Sequence, residues 1–155
     1  MLIRKAKKSD IPSLIRLLYQ VHLVHSEGRP DIFRRGSKKY TEDELCGILS
    51  DAKTPVLVAE ERGAVLGYAF CVFEEVKDNA SLVDRKSLYI DDICVDENAR
   101  GGGIGRALYE EVLALAKKEA CYHVTLNVWK LNEGAMRFYE KCGMSPLKVT
   151  MEQIL

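Results

Sequence analysis

Four glycines occupy the five positions Gly101-Gly102-Gly103-Ile104-Gly105, between a strand-like run ending at Val95 and an amphipathic stretch beginning at Ile104. Glycine lets successive backbone N–H groups converge on a concavity without a Cβ in the way. A helix N-terminus adds partial positive charge at the same place. A strand, a glycine loop and a helix in this order therefore predict an anion site suited to a phosphate or pyrophosphate.

The familiar nucleotide loops fit poorly. A P-loop requires a Lys followed by Ser or Thr after its last glycine, and Arg106-Ala107 follow Gly105. A dinucleotide fingerprint requires G-x-G-x-x-G, whereas Gly103-Ile104-Gly105 runs on to Leu108 and Gly101-x-Gly103 to Arg106. The loop also follows a hairpin rather than the first strand of a βαβ unit.

The elements around the loop predict a mixed α/β domain spanning residues 1–155. Residues 2–6 read as a strand, and Ser9 or Asp10 as the cap of a helix starting near Ile11 with Pro12 in its first turn. Ile11, Leu14, Leu17, Leu18, Val21 and His25 share one helical stripe. A polar loop from Gly28 to Tyr40 precedes a second helix over 41–52. Residues 55–61 and 64–75 form a hairpin about Arg62-Gly63, and a strand over 88–95 follows a polar connection. A helix over 104–120, a strand over 122–129, a helix from Asn132 stopped by Gly143, and a final strand over 147–155 complete the order. Strand alternation points Asp91 and Asp92 to opposite faces.

Composition narrows the partners. Twenty-three basic and 23 acidic residues cancel, so no strong field draws the chain to nucleic acid or an anionic membrane. No apolar run approaches the ~18 residues of a membrane span, and the charged N-terminus lacks the apolar core of a secretory signal. Cys46, Cys71, Cys94, Cys121 and Cys142 are dispersed and odd in number, which reads as free thiols in a reducing, cytoplasmic setting. His22 and His25 share a helical face, but no acid or Cys completes a ligand set, so no metal is expected.

Arg100-Gly101-Gly102-Gly103-Ile104-Gly105 resembles the acyl-CoA signature of the GNAT superfamily of N-acetyltransferases: Arg or Gln, two residues, Gly, one residue, then Gly or Ala. Asn132-Glu133-Gly134-Ala135-Met136-Arg137-Phe138-Tyr139-Glu140-Lys141-Cys142-Gly143-Met144 resembles that family's N-x-x-A-x-x-F-Y-E-K-x-G-F segment, with Met144 in place of the usual Phe. Two motifs in the right order are more specific than either alone. The resemblance implies a mixed, mostly antiparallel twisted sheet flanked by helices, with splayed central strands that admit acetyl-CoA. It places the pyrophosphate on Arg100, Gly101, Gly102, Gly103, Ile104, Gly105 and Arg106. The pantetheine arm would lie on the backbone of Ile93, Cys94 and Val95, with Asn132 beside it and Tyr139 near the sulfur.

In that setting Tyr139 is expected to protonate the leaving thiolate, a phenol of pKa ~10 serving a thiol of pKa ~8.5. An acceptor amine of pKa ~10.4 costs about 4–5 kcal/mol to deprotonate at neutral pH, so a carboxylate base is useful. Some family members carry a Glu on the strand before the Asn motif; the matching residue here is Asn127, which cannot take a proton. Asp92 and Asp91 are the remaining candidates for the base, with Asp92 ranked first because it interrupts an otherwise apolar set. Amides near Cys94 and Val95 would polarise the thioester carbonyl.

The acceptor side is expected at the Gly28–Tyr40 loop, with His25, Arg29 and Phe33 as candidate contacts. Its five basic residues against Asp31 suggest a solvated basic loop, or recognition of an acidic group on the acceptor. The expected activity is direct acetyl transfer from acetyl-CoA to a primary amine, a small molecule first and a protein N-terminus or lysine second. A non-catalytic acyl-CoA sensor is the rival from another class. Family members often dimerise, although no interface is legible in the sequence.

Overall fold

The computed structural model describes residues 1–155, in which five strands form one sheet in the order β1-β2-β3-β4-β5. These are β1 (Leu2–Lys5), β2 (Val56–Glu61), β3 (Ala64–Val76), β4 (Arg85–Val95) and β5 (His123–Leu126). The first four pair antiparallel in sequence order, and β5 joins β4 in parallel. A parallel neighbour needs a crossover, supplied here by α3 (Ile104–Lys118).

The sheet divides the core in two. On one face α1 (Ile11–Gly28) and α2 (Glu42–Ser50) bury Leu14, Leu17, Leu18 and Leu45 against Val58, Tyr68 and Phe70. On the other, α3 and α4 (Glu133–Lys141) bury Ile104, Leu108, Val112 and Tyr139 against Leu57, Ala69, Leu88 and Ile90. Spacings of three and four residues explain both helical stripes. Each fully buried Leu contributes roughly 1.5–3 kcal/mol of transfer free energy.

Helix ends follow local chemistry. Thr41 and Glu44 form a reciprocal capping box, with bonds of 3.2 and 2.7 Å. Asn132 caps α4 by accepting from the Ala135 N–H at 3.1 Å. The expected side-chain cap of α1 is absent. Asp10 holds the cap position but accepts from Arg4 and from the Lys7 N–H instead, because pairing with a guanidinium is the stronger bond.

Two strand expectations need correction. β5 is four residues long, shorter than 122–129. Residues 147–155 form no strand and are exposed throughout, since none of their backbone groups has a ladder partner within the chain.

Candidate active site

β4 pairs with β3 along its whole length but with β5 only from Ser87 to Ile90. Beyond Ile90 and Leu126 the two parallel strands part. The Asp96 N–H bonds the Leu66 carbonyl at 2.8 Å, which fixes the phase of the β3–β4 ladder. Backbone groups of alternate residues point to opposite neighbours, so Cys94 faces β3, while Ile93 and Val95 face the opening. The Cys94 amide, expected with Val95 to polarise a carbonyl, is thus directed at β3, and the backbone groups on the open side are those of Ile93 and Val95.

The open edge of β4 leads directly into the glycine loop. Gly101 and Gly103 adopt φ of 84° and 78°, and a Cβ at either would meet nothing within 4 Å. Glycine is needed at both for the backbone conformation, and the space beside them is open to a ligand. Gly103 also caps α3, whose first buried residue is Ile104. Gly105 serves packing, with a Cβ position only 3.4 Å from the Phe138 ring. The arginines are already engaged: Arg100 Nε donates to the Val95 carbonyl at 3.2 Å, and Arg106 pairs with Glu110 at 2.9 Å. A long ligand with a phosphate at one end and an amide-bearing arm at the other fits this cradle.

A β-bulge shapes the other side of the opening. The register passes from Phe70 opposite Asp92 to Cys71 opposite Ile90, leaving Asp91 as the extra residue. The bulge shifts the phase of β4. Leu88 and Ile90 belong to the α3–α4 core, Ile93 packs on that same core, and Cys94 belongs to the other. Asp91 and Asp92 consequently both lie on the α1–α2 face, against the expectation of opposite faces.

Their surroundings differ. Asp91 accepts from Lys39 Nζ at 2.8 Å and from the Tyr40 hydroxyl, tying the loop before α2 to β4. Asp92 accepts from the Tyr68 hydroxyl at 2.7 Å and forms no ion pair. Burial drives the Asp92 carboxyl above the ordinary carboxylate range, and the Asp91 charge adds to the rise. Burial also keeps Tyr139 protonated, raising its phenol well above its usual value, with the Asp92 charge contributing. Tyr139 is 8% exposed, and its hydroxyl makes no hydrogen bond within the chain. Every fully buried polar side-chain atom has a partner, so this hydroxyl is not sealed from solvent. Cys94, whose Sγ donates to the Leu17 carbonyl, is pushed up to about 12 by burial and is no nucleophile.

An aromatic cluster stands on the α1–α2 side. His25 stacks on Phe33 with centroids 5.1 Å apart, and Trp129 meets Phe33 edge-on at 5.1 Å. This joins His25 and Phe33, both anticipated, to Trp129, which was not. Burial lowers the His25 pKa, favouring the neutral ring. Arg29 is spent on Asp31 at 2.7 Å and Glu152 at 3.0 Å, and Lys39 on Asp91. Two of the loop's five basic residues are therefore paired with acids within the chain. Asn127, at the position where a base was sought, donates to the Tyr89 hydroxyl at 3.2 Å. Tyr68 and Tyr40 carry no local sequence signal, because each acts by a contact with β4 that only the fold creates, and Lys39, expected only as one charge of the basic loop, is bound to Asp91.

Comparison with known proteins follows the same lines. The sequence model described as the Acetyltransferase (GNAT) family matches residues 19–144. The crystal structure of a tetramutant of the BH1408 protein from Bacillus halodurans is 36% identical, covers 100% of both chains and superposes with a TM-score of 0.96. A thialysine N-epsilon-acetyltransferase of Bos taurus is 27% identical over 94% of this chain and 85% of its own length. An uncharacterized N-acetyltransferase of Methanocaldococcus jannaschii, MJ1207, is 26% identical over 95% of this chain, which spans 62% of that relative's length.

Proposed function

The chain belongs to the acetyltransferase (GNAT) family, and from that premise we propose that it transfers acetyl from acetyl-CoA to a primary amine of a small molecule. The observation that carries this reading is the unpaired edge of β4 beyond Ile90, running into a glycine loop at the N-terminus of α3. Acetyl-CoA supplies an activated thioester and a pyrophosphate anchor. Amides of residues 101–105 and the α3 dipole would hold the pyrophosphate. Ile93 and Val95 would hydrogen-bond the pantetheine arm, and Asn132 would offer its Nδ2, since its Oδ1 caps α4.

The acceptor enters from the α1–α2 face, beside Asp92 and the His25–Phe33–Trp129 cluster. Asp92 takes the ammonium proton, directly or through a water, and its raised pKa makes it a stronger base than an ordinary carboxylate. The freed amine attacks the thioester carbonyl, whose developing negative charge is stabilised by the strand amides. Tyr139 donates its phenolic proton to the departing thiolate. Asp91 positions the loop through Lys39 and Tyr40 and does not exchange a proton with the amine.

The Bos taurus relative's name supports a small amine as acceptor. The five free cysteines fit a reducing compartment, and no helix is long and apolar enough to cross a membrane. Calorimetric titration with acetyl-CoA tests the cradle. The wild-type chain should bind stoichiometrically, and Gly103→Pro should abolish binding, because φ of 78° is closed to proline. Failure of the folded wild-type chain to bind acetyl-CoA would sink this reading.

A further inference from the structure

Lys39, near the end of the loop before α2, reaches across to β4 and makes two bonds to one residue. Its Nζ donates to the Asp91 carboxylate at 2.8 Å and to the Asp91 carbonyl at 3.0 Å. It also stands 5.6 Å from the centre of the Tyr40 ring, whose hydroxyl donates to the same carboxylate. The bulge carries the effect of this contact one residue further. Asp91 is the extra residue, so it shares the α1–α2 face with Asp92, and two neighbouring carboxylates oppose each other's ionisation.

The other titratable groups around Asp92 bring it no charge. Tyr68 from β3 donates to it at 2.7 Å and is held protonated by burial. Burial does the same for Tyr139 of α4, for Cys94 on β4 and for Tyr40 of the loop. His25 on α1 is kept neutral by burial, and Glu44 on α2 is engaged in the capping box with Thr41. The balance at Asp92 therefore lies between Asp91, which opposes its ionisation, and Lys39, which favours it.

We propose, on the reading that Asp92 is the base, that Lys39 is a positioning residue for the transfer: seated on Asp91, its ammonium cancels the neighbouring charge so that Asp92 can hold an ionised carboxylate. The loop that brings Phe33 to the acceptor side thereby also readies the base, and a chain with this loop unseated has a base that ionises only at higher pH. A loop that merely clamped the sheet would act in the opposite sense. Its release would wet Asp92, and hydration brings a buried carboxyl down towards its ordinary value. The two roles differ in sign.

The test follows the carboxyl carbon resonance of Asp92 by NMR through a pH titration of the full chain, identified by its absence from Asp92→Asn. Lys39→Met keeps the length of the stem and removes the charge, and the Lys39 side chain is 39% exposed, so this variant should fold. Its Asp92 midpoint should rise by at least about one pH unit, a tenfold change in ionisation. Asp91→Asn should lower the midpoint below wild type, the double variant Lys39→Met/Asp91→Asn should return close to it, and Lys39→Arg should keep it. The acidic limb of kcat/KM should move with the midpoint in each variant. A midpoint that is unchanged or lowered in Lys39→Met overturns the proposal, as does a double variant that titrates like Lys39→Met. A limb that stays in place while the midpoint moves overturns Asp92 as the base, and with it the part of Lys39 in the transfer. The midpoints are read without turnover, so failure of the coupling and failure of the assigned activity are separate results.

Discussion

Asp91 and Asp92 are neighbours in sequence and share one face of the sheet, yet only Asp91 is neutralised by a cation, Lys39 at 2.8 Å. Asp92 is left with the hydroxyl of Tyr68. The bulge at Asp91 creates this division of labour.

Asp92→Asn should lower kcat by about 10²–10⁴-fold, the range of general base catalysis, with acetyl-CoA affinity kept. In the wild type the acidic limb of the rate profile should lie above the ordinary carboxylate range, since activity needs Asp92 ionised and its pKa is raised. Stability runs the other way. A carboxyl with a raised folded-state pKa stabilises the fold fully below its unfolded value of ~3.9, and that contribution is lost as pH rises through the folded value. At neutral pH Asp92→Asn should therefore melt no lower than wild type, by calorimetry, while Asp91→Asn should melt lower through loss of the Lys39 and Tyr40 contacts.

Tyr139→Phe keeps the ring buried against Phe138 and Tyr109 and removes only the proton donor. Turnover should fall about 10²-fold or more, with the acetyl-CoA dissociation constant unchanged. A sensor module would show neither a turnover to lose nor any change in binding.

Gly67→Ala probes the β3–β4 approach. A Cβ there would lie 2.8 Å from the Cys94 carbonyl oxygen and 3.2 Å from Leu108. The strand must shift, at a cost of roughly 1–3 kcal/mol. Because Gly67 pairs with Val95, the open edge moves too, so chemical denaturation and acetyl-CoA titration should both register the change.

Asp10 ties Arg4 and the Lys7 N–H to the start of α1. The Arg4 guanidinium holds its carboxyl below the usual range. That contribution is present above the unfolded value of ~3.9 and is lost as pH falls through the lowered folded value. Asp10→Ala should cost about 1–3 kcal/mol at neutral pH, a deficit that urea denaturation should show shrinking under strong acid.

Much of this was legible in the residues themselves. The glycine loop, the hairpin at Arg62-Gly63 and the helical stripe through Leu14, Leu17 and Leu18 are local patterns with fixed periods. The bulge at Asp91 was not legible, because an extra residue in a ladder is defined by the partner strand. Reading β4 by strict alternation therefore sent Asp91 and Asp92 to opposite faces. Trp129 was passed over for a related reason: its partners His25 and Phe33 come from α1 and the loop behind it. The strand expected over 147–155 does not form: the alternating pattern is local, but a strand also needs a neighbour, and the chain's own sheet supplies none there.

Mass spectrometry of the products formed from acetyl-CoA and a broad amine panel tests the central claim most directly. The panel should span polyamines, aminoglycosides, amino acids, amino-phosphonates and short peptides, and mass detection is undisturbed by the five thiols. The account predicts an N-acetylated small amine whose formation is lost in Asp92→Asn and slowed in Tyr139→Phe. Acetylated peptides with no small-molecule product would contradict the assigned acceptor class, and equal turnover by wild type and both variants would contradict the assigned chemistry.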